Sequence, residues 1–371
     1  MREYLLVCLV AAAVTYLLTP IVRRVAIRIG AMAEVRDRDV HSIPTPRLGG
    51  VAMYIGVCAA FLVAHSLPAL QTVFTYSDVE AVVVSGGVIV LLGVVDDRFQ
   101  LDALTKFAGQ MVAAGIMVLL GLQLLFVTLP GVGATSLGVE GVPLTILLTL
   151  LTVNAMNFID GLDGLLAGVG AIAALAFFAF SYSLSSGSVT SGVAQERISS
   201  PTLIAVVLAG ACLGFLPHNF NPAHIFMGDS GSMLVGLMLA ASVTSLTGQF
   251  DYSGLPASTA FPVLLPLLLP LAVLAVPLVD LLLAIVRRTR AGRSPFAPDK
   301  AHLHHRLLEI GHSHKRAVLI MYFWTALLAF GGVGISLAGL LPTLAVTGVL
   351  AAVALVASSG RLIRTPAKEQ T

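Results

Sequence analysis

The chain has 371 residues, 57% hydrophobic and only 11% charged, with a formal net charge of +2 and a mean hydropathy of +0.95. Soluble domains carry about 25% charged residues, so a water-soluble globular protein is excluded, and a charge of +2 gives no basis for a nucleic-acid partner. Cys8, Cys58 and Cys212 each lie inside apolar runs, which excludes a disulfide framework or a paired-cysteine metal site.

Apolar stretches of about 20 residues cross a bilayer as helices, the form that satisfies every backbone hydrogen bond within the segment. The first span, 3–22, contains an apolar run from Tyr4 to Leu18 that is preceded by Arg2 and Glu3 and followed by Arg23, Arg24 and Arg28. A secretory signal carries its positive charge before the apolar run, so this pattern predicts a retained span with its N-terminus outside. Further spans are predicted at 49–67, 80–95, 104–122, 142–158, 164–184, 201–217, 231–250, 259–286, 317–338 and 341–360, eleven in all. The run 259–286 holds Pro262, Pro266, Pro270 and Pro277 and is expected to bend or break. The predicted fold is all-α: a polytopic membrane protein forming one embedded domain over 1–371, with a short cytoplasmic tail at 361–371.

Charge fixes the orientation. With the N-terminus outside, only Arg2 and Arg197 of the 21 Lys and Arg fall on outer segments. Such a bias places the basic connections, and the C-terminus, in the cytoplasm of a plasma-membrane protein. Asp96-Asp97, the turn Asn157 to Gly164, the segment His218 to Asp229 and the basic loop Arg287 to Arg316 then all face the cytoplasm.

Ionisable residues at membrane depth are costly and mark function. Asp96, Asp97, Asp160, Asp163 and Asp229 are oxygen donors suited to a hard cation such as Mg2+, with Mn2+ as a substitute. Mg2+ takes one or two carboxylates plus substrate phosphates, so the five cannot all be ligands. Asp160 and Asp163 stand three apart, a spacing that brings side chains together on a helix face. Gly161, Gly164, Gly228 and Gly231 allow close approach of a ligand. The eighth span starts just after Asp229, and its free N–H groups would favour a phosphate oxygen. His302, His304, His305 and Arg306 add donors for a diphosphate. Blander readings exist for each piece: Asp96-Asp97-Arg98 as a solvated helix end, Asp160 and Asp163 as caps, the histidines as an exposed loop. Carboxylates for a metal, amides for oxyanions and cationic donors together point to a nucleotide diphosphate.

The residues also carry a resemblance. Pro44-Thr45-Pro46-Arg47-Leu48-Gly49-Gly50, Asp96-Asp97, Asn154 to Gly164, Asn219 to Gly231 and His302-Leu303-His304-His305-Arg306 occur in one order across nearly the whole chain. The chain resembles the polyprenyl-phosphate N-acetylhexosamine-1-phosphate transferases, the superfamily that includes the WecA/TagO-type enzymes and the MraY translocase. The His-x-His-His-Arg form of the last loop is similar to the UDP-N-acetylglucosamine branch, since Leu303 interrupts the histidine triplet typical of the muramoyl-pentapeptide branch.

The resemblance implies Mg-dependent transfer of N-acetylglucosamine 1-phosphate from UDP-N-acetylglucosamine to a polyprenyl phosphate. It implies Asp229 as the principal metal ligand, Asp96 beside the lipid phosphate, and Asp97 in a metal or base role. Asn157, Asp160, Asp163, Asn219, Phe226 and Gly228 would line the nucleotide pocket, and Lys106 would contact phosphate. His302, His304, His305 and Arg306 would hold the diphosphate and sugar, and a homodimer is compatible with the resemblance. The rival from another class is a secondary transporter, which shares broken helices and intramembrane carboxylates but places its site near the bilayer midplane.

Overall fold

The computed structural model of the chain describes residues 1–32, 44–129, 133–186, 193–248, 275–290, 292, 309 and 311–358. Its helices are α1 (Arg2–Ile29), α2 (Gly49–Ser66), α3 (Asp78–Phe99), α4 (Ala103–Leu119), α5 (Gly141–Ile159), α6 (Leu165–Ser186), α7 (Val193–Asn219), α8 (Gly228–Gly248), α9 (Ala275–Arg290), α10 (His314–Ala338) and α11 (Leu340–Ser358). Among the described residues eight helical segments are long and apolar enough to cross a membrane, and α4 and α11 supply shorter apolar ones. Of the ninth predicted span, 259–286, only the part within α9 is described.

The helix boundaries have local causes. Asp102 caps α4 by accepting from the N–H groups of Leu104 and Thr105, and Ser313 caps α10 by accepting from that of Arg316. Gly30 closes α1 in the left-handed conformation at φ 71°. A short antiparallel hairpin, β1 (Phe126–Leu129) with β2 (Gly133–Ser136), departs from the all-α expectation between α4 and α5. Two strands of four residues are too short to leave a periodicity legible in the sequence.

α8 is the axis of the bundle. Residues 231–247 are all buried, and α2, α3, α5, α6 and α7 pack around it. α1 lies at the rim, with Leu5, Leu9, Leu17 and Ile21 exposed as a lipid-facing surface requires. Helices in lipid gain no hydrophobic drive from meeting one another, so they associate where small residues let backbones approach. A Cβ on Gly93 of α3 would lie 2.3 Å from the Ser230 Cα, and one on Gly50 of α2 would lie 2.1 Å from the Gly231 nitrogen. α2 and α3 therefore grip the first turn of α8, the turn that carries Asp229.

Candidate active site

Asp96 and Asp97 occupy the last turn of α3, and their side chains diverge. Asp97 is buried, and its carboxylate accepts from the N–H groups of Asp229 (2.9 Å) and Ser230 (3.2 Å) and from the Ser230 hydroxyl (3.0 Å). It is thus a cap for α8 supplied by a neighbouring helix. The N-terminal N–H groups expected to be free for a phosphate are in part taken by this carboxylate. The backbone at Gly228 has φ +70°, and a Cβ there would lie 2.4 Å from the Asp97 Oδ2. Only glycine admits both that conformation and that neighbour.

Asp96 points to the other side. One of its oxygens accepts the Leu101 N–H at 2.8 Å, and the other meets the Lys106 ammonium at 2.9 Å. The same ammonium lies 2.8 Å from the Asp229 Oδ2. Asn157, on the last turns of α5, donates its amide to the Asp229 Oδ1 and to the Ser232 hydroxyl. The ends of α3 and α5 and the starts of α4 and α8 thus converge on a cation that bridges two carboxylates.

Asp160 and Asp163 do not share a helix face. α5 ends at Ile159, α6 begins at Leu165, and the residues between form a turn in which Gly164 has φ +78°. The glycines break the helix that the three-residue spacing presupposed. Asp163 turns toward the 219–227 loop, where it accepts from the Asn221 amide (2.9 Å) and the Ala223 N–H (3.0 Å). Burial, then the nearby Asp229 charge, push the Asp160 carboxyl up to about 7, with the Arg47 charge opposing. Asn219 is buried, donating to the Ile225 carbonyl and accepting from the Gly164 N–H, so its amide ties that loop to the turn. The Phe226 backbone pairs with Pro46 and Gly49.

Arg47, Ser230, Ser232 and Tyr322 belong to the same assembly; Arg47 and Ser230 stand inside segments singled out above, whereas the types and spacing of Ser232 and Tyr322 gave no sign of it. The Tyr322 hydroxyl donates to the Gly164 carbonyl, which fastens α10 to the 160–164 turn. His302, His304, His305 and Arg306 lie outside the described residues.

The donor set fits a hard cation in one form. Among the described residues no group of three or more His, Cys, Asp or Glu is placed to hold a metal. Asp96 and Asp229, however, both reach one cationic atom, and Mg2+ commonly takes one or two carboxylates with phosphate oxygens completing its shell. With both Asp97 oxygens engaged at the α8 terminus, Asp96 rather than Asp97 stands beside Asp229 in this arrangement.

Residues 79–247 match the model of glycosyl transferase family 4. The chain is 53% identical to the decaprenyl-phosphate N-acetylglucosaminephosphotransferase of Mycolicibacterium smegmatis, over 98% of this chain and 90% of that one. It is 51% identical to the protein of the same name from Mycobacterium tuberculosis, over 89% and 82%. A probable undecaprenyl-phosphate N-acetylglucosaminyl 1-phosphate transferase of Bacillus subtilis is 35% identical, over 82% and 77%.

Proposed function

The chain belongs to glycosyl transferase family 4, among its polyprenyl-phosphate N-acetylglucosaminephosphotransferases, and on that premise we propose the reaction it catalyses. It transfers N-acetylglucosamine 1-phosphate from UDP-N-acetylglucosamine to a membrane polyprenyl phosphate. A lipid phosphate oxygen attacks the β-phosphorus, the bond to the UMP oxygen breaks, and polyprenyl-diphospho-N-acetylglucosamine and UMP result. The observation that carries this reading is the convergence of Asp96, Asp229 and Lys106 at one end of the bundle, in a chain more than half identical to such an enzyme. The names of the relatives favour the N-acetylglucosamine donor over the muramoyl-pentapeptide one.

Asp96 and Asp229 would hold Mg2+, which when bound offsets charge on the diphosphate. A phosphate monoester has a second pKa near about 6, so the lipid phosphate is largely dianionic at neutral pH and needs little help from a base. Asp96 then acts as a ligand and not as a base, its other oxygen tied to Leu101. Lys106, released from one carboxylate, reaches a phosphate oxygen. Asn157 fixes the Asp229 carboxylate, and Asp97 fixes the turn on which it stands. The biased Lys and Arg distribution supports a cytoplasmic site in the plasma membrane.

The test uses purified protein in detergent with UDP-N-acetylglucosamine and polyprenyl phosphate. UMP release that requires both substrates is expected. Its absence, or faster consumption of the muramoyl-pentapeptide donor, overturns the assignment.

A further inference from the structure

Among the described residues the site holds two cations with different commitments. Lys106 is bound to two carboxylates at 2.8 and 2.9 Å. Arg47 is half-buried and attracts Asp97 and Asp160 electrostatically. Yet among the described residues its side chain makes no hydrogen bond or ion pair. A guanidinium offers five donors in a planar fork that matches phosphate oxygens. Leaving such a group half-desolvated and uncommitted is costly unless an anion arrives to take it.

The backbone around Arg47 is pinned with unusual completeness. The Phe226 N–H donates to the Pro46 carbonyl (2.8 Å), the Arg47 N–H to the Ala31 carbonyl (3.0 Å), the Gly49 N–H to the Phe226 carbonyl (3.1 Å) and the Gly50 N–H to the Met227 carbonyl (3.0 Å). Leu48 is held at φ 88°, a left-handed conformation that a leucine adopts only under constraint. Strain of this kind persists where surrounding structure over-determines a segment, and it concentrates at ligand clamps. The constraint here comes from the 226–227 segment, which leads directly into Asp229. The turn therefore fixes the root of the Arg47 side chain against the same structure that presents the carboxylate of Asp229.

We propose that Arg47 is an anion-binding residue of the site, its guanidinium gripping the diphosphate of the nucleotide donor. The inference rests on the transferase reading and adds a residue to it. An arginine so placed contributes to holding the donor and to neutralising charge that gathers on the departing UMP.

The experiment measures binding of UDP, UDP-N-acetylglucosamine and uridine by calorimetry to the full chain, alongside wild-type turnover. Arg47→Gln is expected to weaken UDP and UDP-N-acetylglucosamine about tenfold or more, the scale of a lost charge-assisted contact, with uridine affinity unchanged. Arg47→Lys, which keeps the charge and loses the fork, should fall in between; it carries the test if Arg47→Gln does not fold. Equal losses for UDP and uridine, or none for UDP, overturn the proposal while normal turnover leaves the transferase reading intact. A wild-type chain that neither binds nor turns over the donor overturns both.

Discussion

Replacing Lys106 by Met removes the cation that Asp96 and Asp229 share, and the structure sets the size of the effect. At about 2.8 Å and an effective dielectric of about 20, each pair is worth roughly 6 kcal/mol of Coulomb energy before desolvation. Removing one partner from a buried ionic group costs less than that sum, about 3–5 kcal/mol, because the lysine no longer has to be desolvated. The side chains of Lys106, Asp96 and Asp229 are 18%, 7% and 26% exposed, so solvent screens the group only in part. For a chain of 371 residues, an unfolding entropy of about 2.1 cal/mol/K per residue turns this into a Tm lower by about 4–6 °C. The assay is thermal unfolding in detergent with EDTA, repeated over a Mg2+ titration. In the wild type a metal at Asp96 and Asp229 must displace the ammonium, whereas in Lys106→Met it enters a bare pair of carboxylates. The variant should therefore gain more in Tm from Mg2+, with a lower midpoint. A variant as stable as wild type in EDTA, or one that gains no more from Mg2+ than wild type does, refutes the shared-cation argument.

Asp229→Asn keeps an acceptor for the Asn157 amide and loses the charge, so the protein should fold and lose more than about tenfold in rate, or ~1.4 kcal/mol of barrier; a smaller loss of UMP release would remove Asp229 as the central ligand. Asp160→Asn tests the pH dependence: the folded carboxyl titrates at about 7 and the unfolded one near about 3.9, so the folded state holds its proton more tightly. Wild-type stability in chelator therefore falls as pH rises from about 4 to about 7, and the Tm advantage of Asp160→Asn should grow from pH 5 to pH 8. A constant difference across that range would contradict the assigned shift.

Much of this architecture is legible in the sequence because the bilayer leaves few alternatives. An apolar run of span length has to be a helix. The carboxylates are legible as candidates, since Asp96, Asp160 and Asp229 stand at the ends of apolar runs, where ionisable residues are costly. Direction is what the sequence leaves open. The spacing of Asp160 and Asp163 reads as a shared face only while a helix runs through them, and Gly161 and Gly164 end that helix. Arg47 reads as one more basic residue of the first inner connection, because its distinction lies in a turn pinned by residues 226 and 227, far along the chain. Tyr322 is one of many aromatic residues on an apolar helix until its hydroxyl is seen on Gly164.

The pair Asp96-Asp97 shows why counting carboxylates overstates the chemistry of this site. Adjacent residues on a helix point about 100° apart, so when α3 packs against α8 only one of them can face the buried α8 terminus. At that terminus Gly228 and Ser230 are buried against α2 and α3, so its N–H groups need partners from protein. Asp97 supplies them, which makes a carboxylate the structural answer to helix burial. Asp163 is likewise held by the 219–227 loop. Three carboxylates remain, Asp96, Asp160 and Asp229, against the charges of Lys106 and Arg47. With Asp160 partly protonated near pH 7, the charges of these described residues come close to balancing. A metal–nucleotide unit brings a cation for the carboxylates and an anion for Lys106 and Arg47, and so answers both halves of that pairing at once.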